Sequence, residues 1–441
     1  MAGYLIQTDG RPLAEVQRQL RKYLPGLDVR LFPVGPDRAL LRGHLLEALQ
    51  REYQSPPEVW LTVLGIQAPR LLTDEEIPAL LHTRDAQALP ALQPPTPAPV
   101  DALDWHLATV RAPAAWARLG GPDQIAWGPT LVAQLDTGYT QHPAFGFAVG
   151  QTSWVDVARA ITDVPGAPNG GDHFLPVEPG GGVDPMAGFN AGHGTRIGAT
   201  ISGHDAAAAG RTYYGVAPRV PHLPIRITDS VWINHAQRQF ARGLDYAVGH
   251  GAGVVNVSLG IFLGTVVPEL KRALNRAYDA GVIVVCAAGN YVDPVVAPAR
   301  LSRTVAVAGV TAKDQPWSGS SFGLEVDFSA PAADLRRADP QSPTKFRYAA
   351  GGDGTSYATA ITTGAAALWL THRRADIAAA YAQPAQAWCV AEAFRVLARL
   401  TARVPDGAWQ PGAFGSGILD IDALLAAPLP PADALTRAAA A

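Results

Sequence analysis

The chain has little of several things. Of its 441 residues two are cysteine, two are methionine and four are lysine. Two cysteines far apart in sequence allow one disulfide at most; a reduced thiol is the expectation, with Cys286 in a buried strand and Cys389 far from it in sequence. No apolar run approaches the 18 residues that a membrane span requires. The start, Met1-Ala2-Gly3-Tyr4-Leu5-Ile6, has no basic segment followed by an apolar core, so a secretory signal is not expected and the expected localisation is cytoplasmic. A formal net charge of −3 carries no basic field for nucleic acid or an anionic membrane surface. No internal repeat is present. Arg, Ala and Pro abound where Lys is scarce, which reads as a compositional bias and not as function.

What the chain has is a hydrophobic fraction of 48%, ample for a large core, in a length that suggests two or three domains. It also has four short stretches in one order: Leu135-Asp136-Thr137-Gly138, Gly192-His193-Gly194-Thr195, Ala287-Ala288-Gly289-Asn290 and Gly354-Thr355-Ser356-Tyr357-Ala358. Each has a plain reading beside a chemical one. Asp136 follows the apolar run Leu131–Leu135, a buried strand, and is either a turn residue or a catalytic group at a strand end. A dyad of aspartates would need a second apolar-apolar-Asp-Thr/Ser-Gly, and there is none. His193 opens a run of small residues with the spacing of a tightly packed helix. Ser356 begins a second such helix, either as a simple N-cap or as a nucleophile among the unpaired N–H groups of a helix start. Asn290 ends the apolar strand Val282–Gly289, as a turn residue or as a donor to an oxyanion. Together they supply what a hydrolase with a serine nucleophile needs: a hydroxyl, an imidazole to take its proton, a carboxylate to hold that imidazole, and an amide for the developing charge.

At these residues the chain resembles the subtilisin-like serine proteases, whose triad runs Asp, His, Ser. Tyr214-Gly215-Val216-Ala217-Pro218, Val254-Val255-Asn256-Val257-Ser258-Leu259-Gly260, Val326-Asp327-Phe328-Ser329-Ala330-Pro331 and Gly415-Ser416-Gly417-Ile418-Leu419-Asp420 extend the likeness from about Val100 to Leu425. The resemblance implies Asp136, His193 and Ser356 as the triad and Asn290 as the oxyanion donor. It implies Ser258, Leu259 and Gly260 as the strand that pairs with substrate. It makes Ala287, Ala288 and Gly289 part of the first specificity pocket, where small uncharged residues favour an apolar or medium-sized side chain. Asp293 at the rim could instead favour a basic one. Tyr357 and Ala360 stand where relatives carry Met and Pro, which predicts altered packing but not lost catalysis. No cofactor is required for the chemistry. Relatives bind calcium through a His-Pro-Asp stretch, here His142-Pro143-Ala144, so that site is in doubt; Asp163, Asp172, Glu178 and Asp184 are the remaining oxygen ligands nearby, without a recognisable spacing.

The expected fold class is α/β, a parallel sheet with helices on both faces, preceded by a small α+β ferredoxin-like N-terminal domain. Residues 1–66 read as β-α-β-β-α-β: a strand at Tyr4–Thr8, a helix at Pro12–Tyr23, a hairpin of Asp28–Val34 and Arg38–Arg42, a helix at Leu45–Tyr53 and a strand at Val59–Leu64. Residues 67–100 form a connector with a short helix from Thr73 to Leu81 and a Pro-rich run, extended and open to proteolysis. Residues 101–425 form the catalytic domain, with a Gly-, Pro- and Asp-rich loop from Gln151 to Asn190 before His193. The tail, residues 426–441, is rich in Ala and Pro and is expected to fray.

The N-terminal domain resembles the inhibitory propeptide of many such proteases in topology only. Three readings follow: an endopeptidase restrained by its own N-terminal domain, a dedicated intracellular processing protease whose N-terminal domain recruits one partner, or an inactive binding scaffold. The expected partner is a protein or peptide substrate, with no nucleic acid and no membrane.

Overall fold

The computed structural model describes residues 104–165, 181–187, 190–208, 211–261, 265–407 and 409–441, and four strands before them. The chain divides into two compact units, the first holding residues 1–96 with 262–265 and 291–294, the second the rest.

In the first unit, β1 (Gly3–Gln7), β2 (Arg30–Gly35), β3 (Arg38–Arg42) and β4 (Gln67–Leu72) form one sheet in the order β2-β3-β1-β4. Its pairs are all antiparallel. The hairpin expected about residues 35–37 is the β2–β3 pair. The edge strand lies at Gln67–Leu72, past residue 66, where the sequence suggested a domain end. The two helices expected in this domain, the run 59–64, and the helix and Pro-rich run of the connector lie outside the described residues.

The second unit is built on a seven-stranded sheet in the order β13-β12-β11-β10-β5-β9-β6. These are β5 (Val132–Asp136), β6 (Ile161–Thr162), β9 (His222–Arg226), β10 (Val254–Val257), β11 (Ile283–Ala287), β12 (Val305–Val310) and β13 (Phe328–Pro331); the two-residue strands β7 (His204–Asp205) and β8 (Tyr213–Tyr214) pair apart from it. Every pair within the large sheet is parallel. A parallel sheet needs helical cover on both faces, so its strands read as continuous apolar runs. The alternation of side chains supplies both covers. Val132, Val254, Ile283 and Val285 pack into one core with α1 (His193–Ser202), α4 (Thr355–His372) and α5 (Cys389–Thr401). Ala133, Leu135, Val255, Val257, Val284 and Cys286 pack into the other with α2 (Gln237–Gly249) and α3 (Pro268–Asp279). Before α4 the chain makes an antiparallel hairpin, β14 (Leu335–Ser342) with β15 (Lys345–Gly352). Cys286 and Cys389 are both buried and free, and burial pushes the Cys286 thiol far up.

The C-terminal tail does not fray. Tyr381 Oη donates to the Pro430 carbonyl at 2.7 Å, the Ala438 N–H to Tyr278 Oη at 2.9 Å, and the Ala441 N–H to Asn275 Oδ1 at 3.0 Å. Arg437 pairs with Asp279, and Leu435 is buried. Its order comes from partners far away in sequence, which composition does not register.

Candidate active site

The ends of β5, β10 and β11 and the starts of α1 and α4 meet at the carboxyl edge of the parallel sheet, where open α/β sheets place their ligands. Asp136 is the last residue of β5 and is 1% exposed. Its Oδ1 lies 2.7 Å from His193 Nδ1 and accepts from the Thr137 N–H at 2.7 Å. Its Oδ2 accepts from Gln134 Nε2 at 3.3 Å. Because the carboxylate is an acceptor, His193 presents Nδ1–H to it and leaves Nε2 as the base.

His193 is held by what surrounds α1. A Cβ at Gly194 would stand 2.0 Å from the Gly138 carbonyl oxygen, so only glycine lets the helix start so close to the β5 turn. The Gly194 N–H donates to Thr137 Oγ1 at 3.0 Å, and that hydroxyl donates to Asp184 Oδ2 at 2.8 Å. Asp184, buried, also accepts from the N–H groups of Gly192 and Met186, each at 2.8 Å. Asp184 therefore pins the loop that delivers His193. Asp163 accepts from Arg242 Nε and Nη2, at 2.7 and 2.9 Å. Among the described residues no group of three His, Cys, Asp or Glu is placed to hold a metal; Asp172 and Glu178 lie outside them. His142 caps the short turn Pro143–Phe145, accepting from the Ala144 N–H at 3.0 Å.

Ser356 is the second residue of α4, in the turn whose N–H groups have no partner within the helix. Its Oγ donates to the Ser258 carbonyl at 3.3 Å, and Ser258 Oγ donates to the Ser356 carbonyl at 3.1 Å. No hydrogen bond joins Ser356 to His193 among the described residues; such bonds are commonly long in the absence of substrate. Asn290 follows β11. Its Oδ1 accepts from the Thr355 N–H at 2.7 Å and from Thr355 Oγ1 at 2.8 Å. The oxygen is thereby fixed and Nδ2 is turned to the approach over Gly354, where a Cβ would lie 3.5 Å from it.

The other expected residues fall nearby. Ala287 ends β11, and Ala288 and Gly289 follow it, buried with Ala287. Ser258, Leu259 and Gly260 follow β10. Both backbone groups of Gly260 are engaged: its N–H donates to the Val231 carbonyl at 2.9 Å and its carbonyl accepts from the Ile233 N–H at 3.0 Å. Asp293 belongs to the first unit. Tyr357 is buried against Gly352, where a Cβ would stand 2.9 Å from Tyr357 Cζ, and Ala360 is buried within α4. Sequence reasoning missed Gln134, Thr137, Thr355 and His222 as supports of the site. Gln134 alone carried a visible signal, a polar residue inside an apolar strand.

The sheet, its two helical covers and this edge define a subtilisin-like α/β protein. Residues 129–411 match the subtilase family, and the chain belongs to that family of serine proteases. The thermostable alkaline protease of Halalkalibacterium halodurans is 32% identical over 238 residues, which cover 54% of this chain and 55% of that protein. Subtilisin BL of Lederbergia lenta is 29% identical over 265 residues, covering 60% and 82%. A solved protease structure from Pseudoalteromonas arctica shares the fold with a TM-score of 0.58 at 22% identity, over 75% of this chain and 99% of that one. The chain thus spans about half the length of the Halalkalibacterium protease.

Proposed function

We propose that the protein is an endopeptidase that works through Asp136, His193 and Ser356, with its N-terminal domain as an intramolecular restraint. The observation that carries this reading is the 2.7 Å contact of a buried Asp136 with His193 Nδ1, at a sheet edge that also holds Ser356 and the anchored Asn290 amide. Ser356 Oγ turns from the Ser258 carbonyl toward His193, loses its proton to Nε2 and attacks the scissile carbonyl. The negative oxygen so formed accepts from Asn290 Nδ2 and from the Ser356 N–H. His193 passes its proton to the leaving amine, and the acyl group on Ser356 is released to water by the same steps in reverse roles. Asp136 keeps the imidazole in one tautomer and offsets its charge while it is protonated.

A peptide substrate would lie as an extended strand along Ser258–Gly260, taking over the bonds that Val231 and Ile233 make to Gly260. The small residues Ala287, Ala288 and Gly289 suit an apolar or medium-sized side chain before the cut. The hydrogen bonds to buried Asp184 and the pairing of Asp163 with Arg242 support chemistry without a metal at those residues.

The test is intact mass of the full chain after exposure to a fluorophosphonate, beside Ser356→Ala. A single adduct absent from the control, on a chain shortened by removal of about the first 66 to 100 residues, supports the restrained endopeptidase. The same adduct on the uncut chain favours a processing protease with a retained recruiting domain. No adduct on any form overturns the serine-nucleophile reading.

A further inference from the structure

Beneath Asp136 runs a line of buried polar side chains in a face that is otherwise apolar. Val132, Gln134 and Asp136 alternate onto the same side of β5, and His222, paired with Val132 in the neighbouring β9, shares that side. Gln134, His222 and Ser202 are 3%, 0% and 0% exposed. Helix α1 makes room for them at one position. A Cβ on Gly198 would stand 2.5 Å from Gln134 Oε1 and 3.2 Å from His222 Cε1.

The direction of each bond from Asp136 through Gln134 to His222 Nε2 is forced. Gln134 Nε2 lies 3.3 Å from Asp136 Oδ2 and 3.0 Å from the Gly194 carbonyl, and both are acceptors. The amide must therefore put its NH2 there and its oxygen on the other side. Gln134 Oε1 lies 2.9 Å from His222 Nε2 and needs a donor, so His222 carries its proton on Nε2. That leaves His222 Nδ1 as an acceptor, 3.3 Å from Ser202 Oγ, which is also 3.2 Å from the Gly198 carbonyl. Burial drives the His222 pKa down to about 3, against a smaller raising effect of Asp136, so the imidazole stays neutral through the working range. A buried glutamine is costly unless satisfied; here both ends are, and the chain of bonds ends on the carboxylate that faces His193.

We propose that Gln134 and His222 are positioning residues: His222 locks the Gln134 amide, and Gln134 holds Asp136 Oδ2 so that Oδ1 is presented to His193. This rests on Asp136, His193 and Ser356 acting as proposed above. Thr137 N–H and His193 both bond Oδ1; without Gln134 the second oxygen has no other hydrogen-bond donor among the described residues, and the carboxylate plane is free to swing.

The test uses the full chain and saturating fluorophosphonate kinetics, which separate the rate of reaction (kinact) from binding (KI), on the wild type, Gln134→Leu, His222→Phe and the double variant. Groups that orient the ligands of a metal are typically worth about 10- to 100-fold, and a group that orients a catalytic carboxylate is expected to be worth the same order. Gln134→Leu should lower kinact by at least about 10-fold with KI within about twofold, and should move the strongly deshielded proton NMR signal of His193 Nδ1–H. His222→Phe should lower kinact less, His222→Gln, which keeps a donor, should recover part of the loss, and the double variant should react like Gln134→Leu alone. If Gln134→Leu does not fold, Gln134→Met answers the same question. Folded Gln134 variants with unchanged kinact overturn the inference, as do losses that multiply in the double variant. A wild type that takes no adduct even once its N-terminal domain has been removed, or one that labels equally after His193→Ala, removes the triad reading and this inference with it; a reactive wild type with indifferent Gln134 variants removes this inference alone.

Discussion

Acid should destabilise this fold steeply, because three histidines are buried in their neutral form. His106, His142 and His222 are each at most 2% exposed. Burial lowers their pKa values from 6.5 to about 3, about 4 and about 3, with Arg336 adding to the effect at His106. In the unfolded chain each takes up a proton below its ordinary pKa, while in the native state each stays neutral until its own lowered value. The unfolded state therefore binds more protons over that window, and stability falls as pH falls. At about pH 5 each histidine has lost on the order of 2 kcal/mol, since one pKa unit is worth about 1.4 kcal/mol. The three together lose about 6 kcal/mol, comparable with the whole stability of an ordinary domain. Asp327 acts in the opposite direction. Burial raises its pKa from 3.8 to about 6, so its native form takes a proton before the unfolded chain does and returns about 1 kcal/mol by pH 5. Urea unfolding at about pH 7.5 and pH 5 measures the difference, and about 5 kcal/mol should be missing at the lower pH. His106→Leu should flatten that dependence by about 2 kcal/mol, the share of one histidine. A stability that changes by less than about 1.5 kcal/mol between the two conditions would refute the reasoning.

Asn290→Ala should lower turnover of a peptide substrate by about 10²–10³ with little change in KM, the size of the loss known for a member of this same family. Thr355→Val removes one of the two donors that fix the Asn290 oxygen. The loss of one neutral hydrogen bond, about 0.5–1.5 kcal/mol, predicts a roughly 2- to 10-fold slower fluorophosphonate reaction; an unchanged rate would mean that the Thr355 N–H holds the amide unaided. Asp184→Asn turns an amide toward at least one of the three donors that the carboxylate accepts from. A buried donor left without an acceptor costs about 1–3 kcal/mol, read as a lower urea midpoint at unchanged slope, and a midpoint equal to the wild type would count against Asp184 as the pin of the His193 loop.

The sheet and the edge residues were legible in the sequence for one physical reason. A parallel strand buried on both faces is apolar along most of its length, so Leu131–Leu135, broken only by Gln134, and Ile283–Ala287 stand out, and the polar residues that end or follow such runs, Asp136 and Asn290, fall at the carboxyl edge by construction. Helices packed tightly on such a sheet must be rich in small residues, which marked the starts at His193 and Ser356. The tail was misread because composition speaks to local preference, whereas Pro430, Ala438 and Ala441 are ordered by Tyr381, Tyr278 and Asn275.

The support beneath Asp136 was illegible for a different reason. Gln134 inside an apolar strand is a visible anomaly, but its partner His222 is 88 residues away, and Gly198, whose missing side chain admits both, sits on a third element. Each of the three has an innocent local reading: an edge-strand polar residue, a strand-initial histidine, a small residue in a packed helix. Only the register of β9 on β5 and the close approach of α1 convert them into one arrangement in which each donor finds an acceptor. A buried polar group that is satisfied from three separate elements can be broken by a change in any of them. Gly198→Ala should therefore act on Asp136 without touching it: a methyl 2.5 Å from Gln134 Oε1 forces the amide aside, with an overpacking cost of about 1–3 kcal/mol and a slower fluorophosphonate reaction. A Gly198→Ala chain that is less stable yet reacts at the wild-type rate would separate packing from positioning, and would show that Asp136 keeps its orientation without Gln134.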